Sequence, residues 1–253
     1  MAKHRKHNIR LESFIWDIFE NKSNNIGAID CEFFYGASNK RIKAQTSDMI
    51  FMNEHCMNLL PLYNIGVCSP YFTNNILVKH PCLSIKQRFN LFKNRYNQDK
   101  MFKYLQNCVF YAIRMETNIH ISKHELDLDT IDYYFDMLAL DYHEIISIIS
   151  KYCQEEITLL HHYCQADATF IYDICELLEF KEINKINFQN TRQFCHAVFP
   201  IDKVVSHSLS YFIDNIIKEQ KKRPNDLHVA VYDAEMLLLL FNRFKYLISD
   251  VIN

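Results

Sequence analysis

The sequence predicts an α/β fold, and three features predict it. The apolar run Ile26-Gly27-Ala28-Ile29-Asp30-Cys31-Glu32-Phe33-Phe34 reads as a buried strand. Residues 62–78 read as further strands joined by a turn, and amphipathic helical stretches stand on both sides of these segments. Strand patterns interleaved with helical ones fit a mixed central sheet flanked by helices. A length of 253 residues suits one large domain, here with a helical insertion over roughly 83–150.

The elements follow in order. Over 8–20, Ile9, Leu11, Phe14, Ile15, Ile18 and Phe19 recur at helical spacing and predict an amphipathic helix. Asn24, Asn25 and Gly27 break it before the first strand. Residues i and i+2 of a strand share a face, so Asp30 and Glu32 point to one side. Leu62-Tyr63-Asn64-Ile65-Gly66-Val67, then Tyr71-Phe72 and Asn75-Ile76-Leu77-Val78, predict an antiparallel meander extending from that strand.

Met101, Tyr104, Leu105, Cys108, Val109, Ala112 and Ile113 line one side of a helix over 99–115, a face expected to be core. One or two more helices are expected over 127–150, with Asp127, Asp129, Asp132, Asp136 and Asp141 as caps and solvated faces. A short strand over 157–160 precedes a helix to about residue 180, with Asp167 near its start. An amphipathic helix over 204–220 and a polar break at Pro224 come next. A long helix from about 226 to 248 closes the chain, carrying His228 and Asp233 at its beginning.

Composition narrows the function. Three glycines and five prolines leave no flexible linker or low-complexity tract. A net charge of −2 argues against the uniformly basic surface of a non-specific duplex binder. Basic residues cluster at Lys3-His4-Arg5-Lys6-His7 and over 218–223, where solvated surface is the first reading. The nine cysteines include no CxxC pair, and an odd count without a signal peptide fits reduced thiols in the cytoplasm or nucleus. Cys153, His161, His162, Cys164, Cys195 and His196 match no zinc-finger spacing, so buried thiols and structural histidines are expected. The longest apolar run, near 236–241, is too short to cross a bilayer, and the charged N-terminus is no secretory signal.

Chemistry gathers in three distant carboxylate segments and one histidine. Asp30 and Glu32 sit among Ile29, Phe33 and Phe34, where a buried charge is costly without an ion or partner. Asp167 follows the 157–160 strand; Asp173 is its rival on the same helix. His228-Val229-Ala230-Val231-Tyr232-Asp233 supplies an imidazole, a carboxylate five residues on, and between them a small Ala230 that suits a helix crossing a sheet. Carboxylates in this order with a histidine point to metal-assisted phosphodiester hydrolysis.

These segments resemble the DEDDh exonucleases of the RNase H-like superfamily, and most closely its poly(A)-specific ribonuclease and CAF-type deadenylase branch. Ala28-Ile29-Asp30-Cys31-Glu32-Phe33 is similar to the first motif of that branch, and Tyr63-Asn64-Ile65-Gly66-Val67-Cys68 to its second strand. Asp129-Thr130-Ile131-Asp132-Tyr133 with Leu140-Asp141-Tyr142, and Ala197-Val198-Phe199-Pro200, resemble later segments. His228-Val229-Ala230-Val231-Tyr232-Asp233-Ala234 resembles the last motif. The chain departs from the family at Asn64, where Gln is usual, and at His161-His162-Tyr163, where Gly-His-Asn is common.

The resemblance implies an RNase H-like (DEDDh exonuclease) fold and a 3′–5′ exoribonuclease. Its preferred middle acid is Asp167. Asp30, Glu32, Asp167 and Asp233 would hold two Mg²⁺ (or Mn²⁺) ions roughly 4 Å apart, and His228 would be the general base. The implied substrate is a single-stranded RNA 3′ end, a poly(A) tail or small-RNA precursor, shortened to 5′-mononucleotides. Accessory RNA-binding domains are not expected in 253 residues, so delivery by a recruiting protein or a homodimer is. A DNA exonuclease of the same fold, or a catalytically silent RNA-binding scaffold, are the alternatives.

Overall fold

A computed structural model describes residues 25–34, 54–92, 98–155, 157–162, 165–191 and 228–252, with residues 195, 208–212, 214 and 215. The expected helix over 8–20, both basic clusters, the Pro224 break, the 197–200 segment and most of the 204–220 helix lie outside the described residues.

The fold is α/β, a five-stranded mixed sheet flanked by helices. Strands β1 (Ile26–Phe33), β2 (Leu62–Cys68), β3 (Thr73–Leu77), β4 (Thr158–His161) and β5 (Asn187–Asn190) lie in the order β3-β2-β1-β4-β5. β1, β2 and β3 form the antiparallel meander, while β4 and β5 run parallel to β1. Tyr71 and Phe72, expected in a strand, instead belong to a turn: the Ser69 Oγ accepts hydrogen bonds from both of their N–H groups. Every residue of β2 is buried, as its apolar run requires of an interior strand.

Helices α1 (Glu54–Asn58), α2 (Ile85–Phe92), α3 (Gln98–Glu116), α4 (Leu128–Leu138) and α5 (Tyr142–Gln154) precede β4. Helix α6 (Ala166–Leu177) follows it, and α7 (Leu209–Phe212) and α8 (Ala230–Ile252) come after β5. The acids over 127–150 behave as expected. Asp127 and Asp141 are the N-caps of α4 and α5, accepting from Thr130 N at 2.8 Å and Glu144 N at 2.9 Å. Asp129 and Asp136 pair with Lys86 and Lys79 at the surface.

Alternation along β1 divides the interior. Ile29 and Cys31 face α5 and α6 in one apolar cluster. Ala28 faces the opposite way, into a cluster built on Ala234, Leu237, Leu240, Phe241 and Phe244 of α8. Asp30 and Glu32 share the parity of Ala28, so they lie on the α8 side. A third cluster joins α2, α3 and α4 to Tyr63, Leu77, Val229 and Val231, and thus ties the helical insertion to the approach to α8. Arg88 of α2 is wholly buried there, donating to the Leu62 and Val78 carbonyls at 2.6 and 2.8 Å.

Candidate active site

The start of α8 is seated on the sheet by two residues of β2. Asp30 pairs across the ladder with Gly66, and Glu32 with Asn64. Gly66 leaves room for the helix: a Cβ built there would stand 2.1 Å from the Ala230 carbonyl carbon. The buried Asn64 Oδ1 accepts the Ala230 N–H at 3.0 Å, while its Nδ2 donates to Asn75 Oδ1 and the Ile76 carbonyl. Ala230 is therefore the small residue at the crossing, and the two strand residues beneath it set where α8 begins.

His228 is not in the helix, contrary to the sequence reading. It stands two residues before Ala230 with φ at 71°, a left-handed conformation that non-glycine residues adopt at some cost in backbone strain. The structure over-determines this position. Tyr104 of α3 packs on the imidazole with ring centroids 3.7 Å apart, and the Cys108 thiol donates to the His228 carbonyl at 3.2 Å. The bend turns the imidazole back toward β1, so that His228 Nδ1 lies 3.4 Å from Glu32 Oε1.

Glu32, His228 and Asp233, the last in the first turn of α8, bring ligand atoms within 4.8 Å of one another. Asp30 and Asp167 are not part of that grouping. Asp30, Glu32 and Asp233 all act electrostatically on the buried Cys108 thiol, which burial and their charges push well up. Asp167 is 3% exposed in the first turn of α6, where helix start and strand end meet. The Cys31 thiol reaches its main-chain oxygen at 3.9 Å, and His161 Nδ1 lies 4.0 Å from its carboxylate. Glu32, His228 and Asp233 thus meet beside β1, and Asp167 lies past the end of β4, close enough for the Glu32 charge to act on it.

Burial pushes the Asp167 carboxyl to about 8; the Cys31 N–H hydrogen bond opposes this and the Glu32 charge adds to it. Burial pulls the His228 imidazole down, but the Glu32 hydrogen bond and charge, with Asp233, outweigh it. Lys100 opposes them, and the imidazole still ends above its ordinary value. Carboxylate oxygens and an imidazole are donor types that a hard divalent cation takes. Among the five residues, Glu32, His228 and Asp233 bring donor atoms within 4.8 Å of one another, a grouping that could hold a metal ion.

Asp173, the rival middle acid, is engaged elsewhere. It meets His55 of α1 at 3.2 Å, and Glu176 joins the same imidazole at 3.4 Å. Tyr104, Asn64 and Gly66 were missed as parts of the site. Tyr104 left no signal beyond its helical spacing. A glycine and an asparagine two apart in an otherwise apolar strand did, since one of only three glycines in mid-strand marks a close backbone approach. No family model, curated protein or solved structure matches this chain.

Proposed function

We propose that this chain is a metal-dependent 3′–5′ exoribonuclease of RNase H-like fold, of the DEDDh type nearest the poly(A)-specific ribonuclease and CAF-type deadenylases. The observation that carries the reading is the Glu32–His228–Asp233 trio, within 4.8 Å, with Asp30 and Asp167 beside it. The mixed sheet with its antiparallel meander is the framework the resemblance calls for.

Asp30, Glu32, Asp167 and Asp233 would hold the divalent ions, which when bound supply Lewis acidity at the scissile phosphate and a more acidic water. His228 accepts the proton of the attacking water, for which its imidazole must be neutral. Tyr104 fixes the plane of that ring, and the Cys108 thiol pins the main chain that carries it. Lys100, whose charge reaches His228, lends positive potential where a phosphodiester would approach.

The test is digestion of end-labelled oligoadenylate, mixed-sequence RNA and single-stranded DNA in Mg²⁺, with Asp30→Ala as control. Release of 5′-mononucleotides from the RNA 3′ end by wild type alone supports the reading. Degradation of DNA with RNA spared moves the substrate to DNA. Equal RNA binding by both proteins, with shortening by neither, makes the chain a scaffold and removes the enzyme.

A further inference from the structure

Two cysteines and a histidine form a cluster that the proposed chemistry does not use. Cys56 belongs to α1 and is 7% exposed; Cys82 follows β3 and is exposed. Among the described cysteines Cys82 is the exposed one. The two thiols are close enough for Cys82 to act on Cys56 through a side-chain hydrogen bond. Their main chains are held together by one imidazole: the Cys82 N–H donates to His80 Nδ1 at 3.2 Å, and His80 Nε2 meets the Cys56 carbonyl at 3.1 Å. Because Nδ1 accepts, Nε2 carries the proton and donates to that carbonyl. His80 is itself buried.

We propose that Cys56 and Cys82 are a thiol-disulfide modification site, oxidised by low-molecular-weight disulfides of the glutathione class. Cys82, open to solvent, attacks one sulfur of the oxidant; a Cys82–glutathione bond forms and one glutathione thiolate leaves. The Cys56 sulfur then attacks the Cys82 sulfur, and the intramolecular bond replaces the mixed one. The second glutathione leaves with the proton that Cys56 gives up. Two thiols of the protein are oxidised and one oxidant disulfide is reduced to two thiols. Burial, with Cys82 adding to it, holds the Cys56 thiol at about 11, so Cys56 is protonated at rest and suits the second step, not the first.

The new bond would close a loop holding β2 and β3, and with them Asn64 and Gly66, which seat α8. It would tie α1 directly to the exit of that hairpin. The proposal stands on the His80 bracket and does not depend on nuclease activity.

The experiment treats the full chain, in a Cys164→Ser background, with glutathione disulfide, followed by intact and peptide mass spectrometry without reduction. The wild-type pair is expected to release two glutathiones per chain and yield a single cross-linked peptide joining residues 56 and 82. Cys56→Ser is expected to stop at a stable mixed disulfide on Cys82, with one glutathione released. Cys82→Ser is expected to leave Cys56 unmodified in the folded protein. A mixed disulfide that persists with Cys56 present overturns the proposal, and so does pairing of Cys82 with any other cysteine.

Discussion

At the scale of single residues, Glu32 acts on His228. The carboxylate keeps the imidazole charged above its ordinary value, which is the wrong state for a base. Glu32→Gln removes the charge and weakens the hydrogen bond, so the His228 value is expected to fall; an imidazole NMR titration of metal-free protein reads this directly. No change would mean that the contact is incidental. His80 gives a second residue-scale expectation. Burial, with Arg88 adding its charge, lowers its imidazole to about 4, although the hydrogen bond to the Cys56 carbonyl opposes this. Between an ordinary value of about 6.5 and about 4, the unfolded chain takes up a proton that the folded one refuses. Stability therefore falls as pH drops through that window and is untouched above it. At about 1.4 kcal/mol per pH unit the loss reaches about 3 kcal/mol. Denaturant unfolding from pH 7 to 4 should show this slope, and His80→Gln should flatten it.

At the scale of elements, the seating of α8 on β2 is the contact on which the site depends. Gly66→Ala places a methyl group into the Ala230 main chain, which cannot yield as a flexible side chain would. Overpacking of this kind costs about 1–3 kcal/mol. The displaced helix start should also separate Asp233 and His228 from Glu32, so metal affinity should drop more than stability predicts. An alanine variant with unchanged unfolding midpoint and metal affinity would show that the crossing has slack. The capping box at α5 is a contrasting case. There Asp141 and Glu144 satisfy each other's main-chain N–H groups. Asp141→Ala should cost about 1 kcal/mol in chemical denaturation and leave metal binding as it was.

At the scale of the whole molecule, the proposed site draws carboxylates from β1, α6 and α8, and a cation bridging them would favour the folded state alone. Mg²⁺ at about a hundred times its dissociation constant should therefore stabilise the fold by about 2.7 kcal/mol. The melting temperature should rise with Mg²⁺ in wild type and much less in Asp233→Asn. A rise that survives this substitution would place the ion elsewhere, with the His55, Asp173 and Glu176 group as the place to look.

Much of this was legible in the sequence because it is local. The i, i+2 spacing put Asp30 and Glu32 on one face of β1, and the meander followed from short apolar runs with a turn between them. The caps Asp127 and Asp141 bond main-chain groups three residues away, so local pattern was enough to find them. What tertiary structure alone decided involves partners that sequence periodicity does not link. Asp173 meets an imidazole 118 residues away. Ala230 was fixed by an asparagine 166 residues away, and His228 was bent to φ 71° under a tyrosine of α3. Chain sequence sets torsion preferences and which faces avoid water, and these act over a few residues. Which distant faces then meet depends on close packing across the sheet, where a missing methyl at Gly66 or a single amide at Asn64 selects one arrangement.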